Sequence, residues 1–303
     1  MTAQANSSVE YTIRAGLKVV RLFVAYAPFT VVRRLQTIGM YRVRLPSPIS
    51  SKRLSKPIGE WFVSEEATDD SPVILFIHGG GFVFPQSPLH RVMLAKLTHD
   101  IKGRTFMADY RLAPEYPFPA GLDDCLAAYQ HLIDEGIAPQ RITVMGDSAG
   151  GNLTLAMLIA LRDRGMPLPG LGVTISAPTD MTLDNPSHGS PDDILHPRSV
   201  ERFSRSYVAG QDARNPLISP LFADLHDLPP LILHAGGDEA LAMDSERFAE
   251  AAKAAGVNVT LRIYPRMWHV WQLAPELPQA RQSLAEIAEA VRSTCAAAEP
   301  TSS

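Results

Sequence analysis

Past Lys56 the chain alternates short apolar runs with stretches of helical period. Runs at 59–64 (GEWFVS), 72–78 (PVILFIH), 104–110 (RTFMADY), 141–146 (RITVMG), 171–177 (LGVTISA), 231–236 (LILHAG) and 259–264 (VTLRIY) predict strands. Several are apolar without alternation, the pattern of strands covered on both faces of a parallel sheet. Between them, Leu153, Ala156, Met157, Ala160 and Leu161 recur on one helical face. LDDCLAAYQHLIDEG (122–136) reads as another helix, stopped by Gly136. Strand and helix in alternation predict a doubly wound α/β sheet.

From Met181 to Pro230 the rhythm breaks, with prolines at 186, 191, 197, 216 and 220 and a helix expected around Ser199–Val208. In an open α/β sheet, an insertion after a strand's carboxyl end sits over the ligand crevice. Residues 181–215 are therefore expected to form a cap insertion in a catalytic domain of residues 57–303, with residues 1–56 supplying N-terminal cap helices.

The 303 residues suffice for one large core, and 46% hydrophobic with 20% charged side chains is ordinary globular composition. A net charge of −4 makes no electrostatic case for nucleic acid. Cys125 and Cys295 form no metal-binding or disulfide-rich pattern. Between Arg14 and Lys56, however, ten basic residues occur without an acid, around the apolar run LFVAYAPFTVV (22–32). That run is too short to span a bilayer, and without a signal peptide in view a cytoplasmic location is expected. One reading is an amphipathic element in peripheral contact with a membrane. The other, and the favoured one, is helices covering the protein's own apolar surface with Lys and Arg turned outwards.

Chemistry concentrates in TVMGDSAGGN. Gly146-Asp147-Ser148-Ala149-Gly150 is a G-x-S-x-G that follows a predicted strand and opens a predicted helix, the context of a nucleophile elbow. A serine hydroxyl needs a base, and the base an orienting acid; on this architecture they follow in the order Ser, Asp/Glu, His. Of the later histidines, His188, His196 and His226 fall in the proposed cap stretch and His234 within a strand. That leaves His269, in PRMWHVWQ after the last strand. The acid comes from GGDEALAMD: Asp238, directly after the strand and its Gly236-Gly237 turn, is preferred, with Glu239 next and Asp244 as a helix cap. The three glycines of FIHGGGFVF lack the lysine and serine of a phosphate loop. They suit an oxyanion hole in which N–H groups of Gly80 and Gly81 join that of Ala149. Phe82, Phe203, Tyr207 and Trp268 are the expected pocket lining.

HGGGF, DYRLAPEYPFPAGLDD, GDSAGGN and NPLISPLFADLHDLPP occur together in order. Over residues 70 to 275 the chain thus resembles the bacterial-type esterases of the hormone-sensitive-lipase-like branch of the α/β-hydrolases. The resemblance implies an α/β-hydrolase fold and a cofactor-free, metal-free esterase acting on small-molecule acyl esters of short to medium chain. It also implies a triad matched by Ser148, Asp238 and His269, and an oxyanion hole from the glycines after His78 plus Ala149. Alternatives are the same machinery on amides, lactones, thioesters or long-chain lipids, or a non-catalytic receptor, which would lack the base. A homodimer is a further expectation. Asp109, Tyr110, Arg111 and Glu115 are expected to brace the glycine loop, and His78 to anchor it.

Overall fold

The computed structural model describes residues 2–40, 45, 48–182, 184–185 and 192–297. Pro186, His188 and Pro191 of the cap stretch, and Arg42 and Arg44 of the basic segment, lie outside the described residues.

Eight strands form one sheet in the order β1-β2-β4-β3-β5-β6-β7-β8. These are β1 Ile49–Ser55, β2 Ile58–Ser64, β3 Val73–Ile77, β4 Arg104–Ala108, β5 Ile142–Asp147, β6 Leu171–Ile175, β7 Leu231–Gly236 and β8 Val259–Tyr264. β2 runs antiparallel to β1 and β4, and every pairing from β4 onwards is parallel. The seven strands expected from apolar runs are all present. β1 is the addition: residues 49–55, expected among the N-terminal helices, form the sheet's edge. Its sequence, ISSKRLS, is mostly exposed and polar, so no hydrophobic run announces it. A polar edge carrying Lys52 and Arg53 also discourages pairing with another chain.

Both faces of the sheet are covered. Successive residues of β3 point to opposite sides, so Val73, Leu75 and Ile77 join one core while Ile74 and Phe76 join the other, all fully buried. The first core is closed by α4 (Ala120–Asp134), α5 (Ala149–Asp163) and α7 (Ala242–Ala254), and the second by α3 (Pro88–Asp100) and α8 (Pro278–Ala297). This two-sided covering is why the strands read as continuous apolar runs.

Above the carboxyl ends of the strands lie α1 (Thr2–Tyr26), α2 (Phe29–Met40) and α6 (Pro197–Val208), the last being the helix expected in the cap. Arg202 of α6 donates to the carbonyls of Val24 (3.1 Å), Ala25 (2.9 Å) and Ala27 (3.0 Å). It thereby satisfies acceptors that the end of α1 leaves without intrahelical partners. Phe29 packs edge-on to Phe84 at 5.5 Å and tilted against Phe203 at 6.1 Å. Helices distant in sequence thus form one roof. Among the described residues no helix is long and apolar enough to cross a membrane.

Candidate active site

Ser148 sits between β5 and α5 at φ 50°, ψ −123°, a backbone state that non-glycine residues adopt only under constraint. Two glycines make the turn feasible. A Cβ on Gly146 would run into the Gly150 carbonyl, and one on Gly150 into the Ile77 carbonyl. The turn presents Ser148 Oγ 2.9 Å from His269 Nε2. His269 reaches it from the loop after β8, as the chain order of the sequence implies.

The other side of the imidazole corrects one expectation. Glu239, not Asp238, faces His269: its Oε2 lies 3.4 Å from Nδ1. Asp238 is half exposed, and its carboxylate meets Arg14 Nη2 at 3.2 Å. The backbone explains the difference. Asp238 N–H donates to Met267 O at 2.9 Å, which turns its side chain outwards, and the next residue then points into the core. Glu239 is buried, with the extra methylene needed to reach the base. Ser176 Oγ donates to Glu239 Oε2 at 2.7 Å and accepts Val270 N–H at 3.2 Å, tying the acid to the chain segment that carries the base. Asp244 is not the cap expected for it. It lies in the first turn of α7, fully buried, and accepts the N–H groups of Thr179 (2.7 Å) and Asp180 (3.1 Å).

Electrostatics follow from this geometry. Burial alone would depress the His269 pKa, but Glu239, aided by Asp192, outweighs it and holds the pKa above the ordinary 6.5. Burial likewise pushes the Glu239 carboxyl up, against the opposing pull of His269.

Three devices hold the glycine loop beside the serine. His78 is fully buried, where burial lowers its pKa and keeps it neutral, so Nδ1–H donates to Gly79 O at 2.7 Å. Its ring stacks on Tyr110 at 4.4 Å, and Tyr110 Oη donates to His78 O at 2.9 Å. Asp147 accepts Gly79 N–H at 2.9 Å and faces His90 Nε2 at 3.2 Å. Burial opposes its ionisation, but His90 and that N–H prevail and hold its pKa below the ordinary value. With Gly79 occupied, no acceptor takes the N–H of Gly80 or Gly81 among the described residues. Both glycines have positive φ, 124° and 60°. Around the loop, Arg111 pairs with Asp124, Glu115 with Arg33 and Asp109 with Arg53, while Ala113 N–H donates to Phe82 O at 3.0 Å.

The four aromatic residues expected in the pocket separate. Phe203 approaches Gly81 so closely that a Cβ there would meet its ring. Phe82 and Tyr207 stack face to face at 3.7 Å, both buried. Among the described residues the Tyr207 hydroxyl has no hydrogen-bond partner. Trp268 packs away from them, beneath the Arg14 guanidinium at 5.0 Å and in a cluster with Ile13 and Leu17 of α1.

Besides His90, two contributors were not legible in the sequence. Asp192 of the cap is buried. It accepts Ile194 N–H (2.6 Å) and Leu195 N–H (2.7 Å) with one oxygen and Ala240 N–H (2.9 Å) with the other, fastening the cap to the residue after Glu239. Arg14 of α1 donates to Asp193 of the cap, to Asp238 and to Arg266 O, so one guanidinium joins the acid loop, the base loop and the cap. Removing the Asp192 charge should lower the His269 pKa. A histidine acting as a base must be neutral to take a proton, so a rate that depends on His269 in that role falls as pH drops through its pKa. The acid limb of the kcat/KM profile of Asp192→Asn is therefore expected at lower pH than in the parent; an unmoved limb would separate Asp192 from the base.

This sheet, with a strained serine at the carboxyl end of its fifth strand and its partners on later loops, defines an α/β hydrolase. A family model for the α/β hydrolase fold matches residues 74–273. An acetyl-hydrolase of Streptomyces hygroscopicus is 38% identical over 229 residues, 74% of this chain and 76% of the relative. An esterase of Acinetobacter venetianus is 35% identical over 222 residues, 72% and 73% of the two chains. The crystal structure of an esterase from the bacterial hormone-sensitive lipase family superposes with a TM-score of 0.85 at 38% identity, over 93% of this chain and 98% of the other. Within the α/β hydrolases, this chain belongs to the bacterial hormone-sensitive lipase family.

Proposed function

We propose that the protein is a serine carboxylesterase that hydrolyses acyl esters of short to medium chain through an acyl-enzyme. The observation that carries the reading is the line Ser148–His269–Glu239, with its hydroxyl beside glycines whose N–H groups have no acceptor among the described residues and can donate to an oxyanion. His269 Nε2 takes the Ser148 proton as Oγ attacks the ester carbonyl. The developing oxyanion is received by N–H groups of Gly80, Gly81 and Ala149, the last at the start of α5. His269 then protonates the departing alcohol, and water repeats the cycle on the acyl-serine. Glu239 keeps Nδ1 protonated and steadies the imidazolium. Phe203 and the Tyr207 hydroxyl, which has no partner among the described residues, are the groups we assign to acyl and ester contact.

The names of the relatives, an acetyl-hydrolase and esterases, agree with this substrate class. A receptor on this scaffold is disfavoured by the presence of base and acid together. Turnover of p-nitrophenyl esters of increasing acyl length tests the reading, with Ser148→Ala as control. The expected result is turnover that peaks at short to medium chains and is abolished in the control. Wild-type turnover by the control, or none by the parent at any length, would overturn it.

A further inference from the structure

The roof over the site is apolar on both sides. On α1 the inward residues Ile13, Leu17 and Val24 pack on the protein, and Ala25 is fully buried. The opposite face carries Tyr11, Ala15, Val19, Leu22, Phe23 and Tyr26, a stripe at steps of three and four residues, so it is one continuous side of the helix. That side meets solvent: Val19 is 69% exposed, Leu22 53% and Phe23 43%. Tyr26 marks the border, its ring against His196 and beneath Arg198. α2 extends the surface with Val31 and Leu35, 44% and 55% exposed. Among the described residues, eight of the twelve large apolar side chains with exposed surfaces fall on these two helices. Singly exposed apolar residues need no explanation, but a contiguous ridge does.

Charge selects the occupant. Ten of the 28 basic residues but one of the 32 acids fall in residues 1–56, so a cationic segment stands on an otherwise anionic protein. Lys18 and Arg34 flank the ridge and are exposed. The carboxylate paired with Lys18, Asp193, is 3.9 Å away. A helix with an apolar outer face bordered by cations lies in a lipid–water interface, and anionic headgroups strengthen the attachment. The ridge is also near the chemistry. The inner side of α2 is clasped to the glycine loop by Arg33, which donates to Val83 O at 2.6 Å, and by Phe29 against Phe84 and Phe203.

We propose that the outer face of α1 and α2 docks on an anionic lipid surface, placing the catalytic crevice beside esters that partition into that surface. The consequence for substrate supply rests on the esterase reading; the docking itself does not. It is tested with the full chain carrying Ser148→Ala, floated with vesicles of pure phosphatidylcholine or of phosphatidylcholine with about one third phosphatidylglycerol. The chain is expected to float with the anionic vesicles and far less with the neutral ones. Val19→Gln/Leu22→Gln/Phe23→Gln should weaken that binding by more than about tenfold. Arg34→Glu should weaken it roughly fivefold or more, on anionic vesicles only.

The same substitutions made with Ser148 intact should turn over soluble p-nitrophenyl acetate at the parent rate, which shows that they fold. If the triple variant misfolds, Arg34→Glu on a helix exterior still decides. Failure of the parent to float, or equal flotation of the variants, overturns the proposal. So does a dimer that the triple variant splits in the absence of any vesicle binding, since a second copy would then be the occupant. Flotation without ester turnover in any Ser148-containing form would overturn the esterase reading and leave the docking intact.

Discussion

Glu239→Gln is expected to lower kcat/KM on the order of 10³- to 10⁴-fold, the scale on which a triad acid acts, whereas Asp238→Asn should stay within about threefold of the parent, as for exposed ion pairs. The amide keeps the size of Glu239 and its position near His269 Nδ1, 3.4 Å in the parent. It removes the charge that steadies the imidazolium, and it can present N–H to the ring and favour the wrong tautomer. The pH profile should move as well. With the carboxylate present, the His269 pKa stands above 6.5; without it, burial dominates and the pKa falls. The residual activity of Glu239→Gln should therefore persist to lower pH than that of the parent. Steady-state kinetics across pH for both variants checks this. A larger loss in Asp238→Asn would restore Asp238 as the acid.

The second large effect concerns the glycine loop. Gly81→Ala is expected to lower kcat on the order of 10²- to 10³-fold, the scale on which one oxyanion donor acts. Two causes combine. Gly81 holds φ 60°, where an alanine is strained, and its added methyl would strike the Phe203 ring. Either the loop shifts and withdraws its N–H from the oxyanion, or α6 is pushed off the site. Ground-state binding depends less on that N–H, so KM should change much less than kcat. Kinetics on a short-chain p-nitrophenyl ester separates the two constants. An unchanged kcat would remove Gly81 from the oxyanion site.

The parts of this architecture legible in the sequence are those that local patterns encode. Strands buried on both faces declare themselves as apolar runs, and β3, β5 and β7 lie close to where those runs place them. β1 does not, because an exposed edge strand needs no apolar face. Ser148 is marked by small residues that its turn demands, and His269 by its place after the last strand. The acid was harder to read, since Asp238 and Glu239 are neighbours with the same chemistry. Only the pairing of Asp238 N–H with Met267 O turns one outwards and the next inwards. A hint lay in the apolar Ala240 and Leu241 after Glu239, which continue into the core. Asp192, His90 and Arg14 act across large sequence separations, with no local pattern to reveal them. Of the two readings of the N-terminal segment, the structure shows the covering role, with one apolar face of α1 packed on the protein; the other apolar face meets solvent.

The central claim is that Ser148 carries the acyl group. The most direct measurement is rapid acid quenching during turnover of p-nitrophenyl butyrate, followed by peptide mass spectrometry. A butyryl group is expected on the peptide containing Ser148, accumulating in Gly81→Ala no faster than in the parent and absent in Ser148→Ala. Steady turnover with no acyl adduct on that peptide, or an adduct on another residue that rises and decays at the turnover rate, would contradict it.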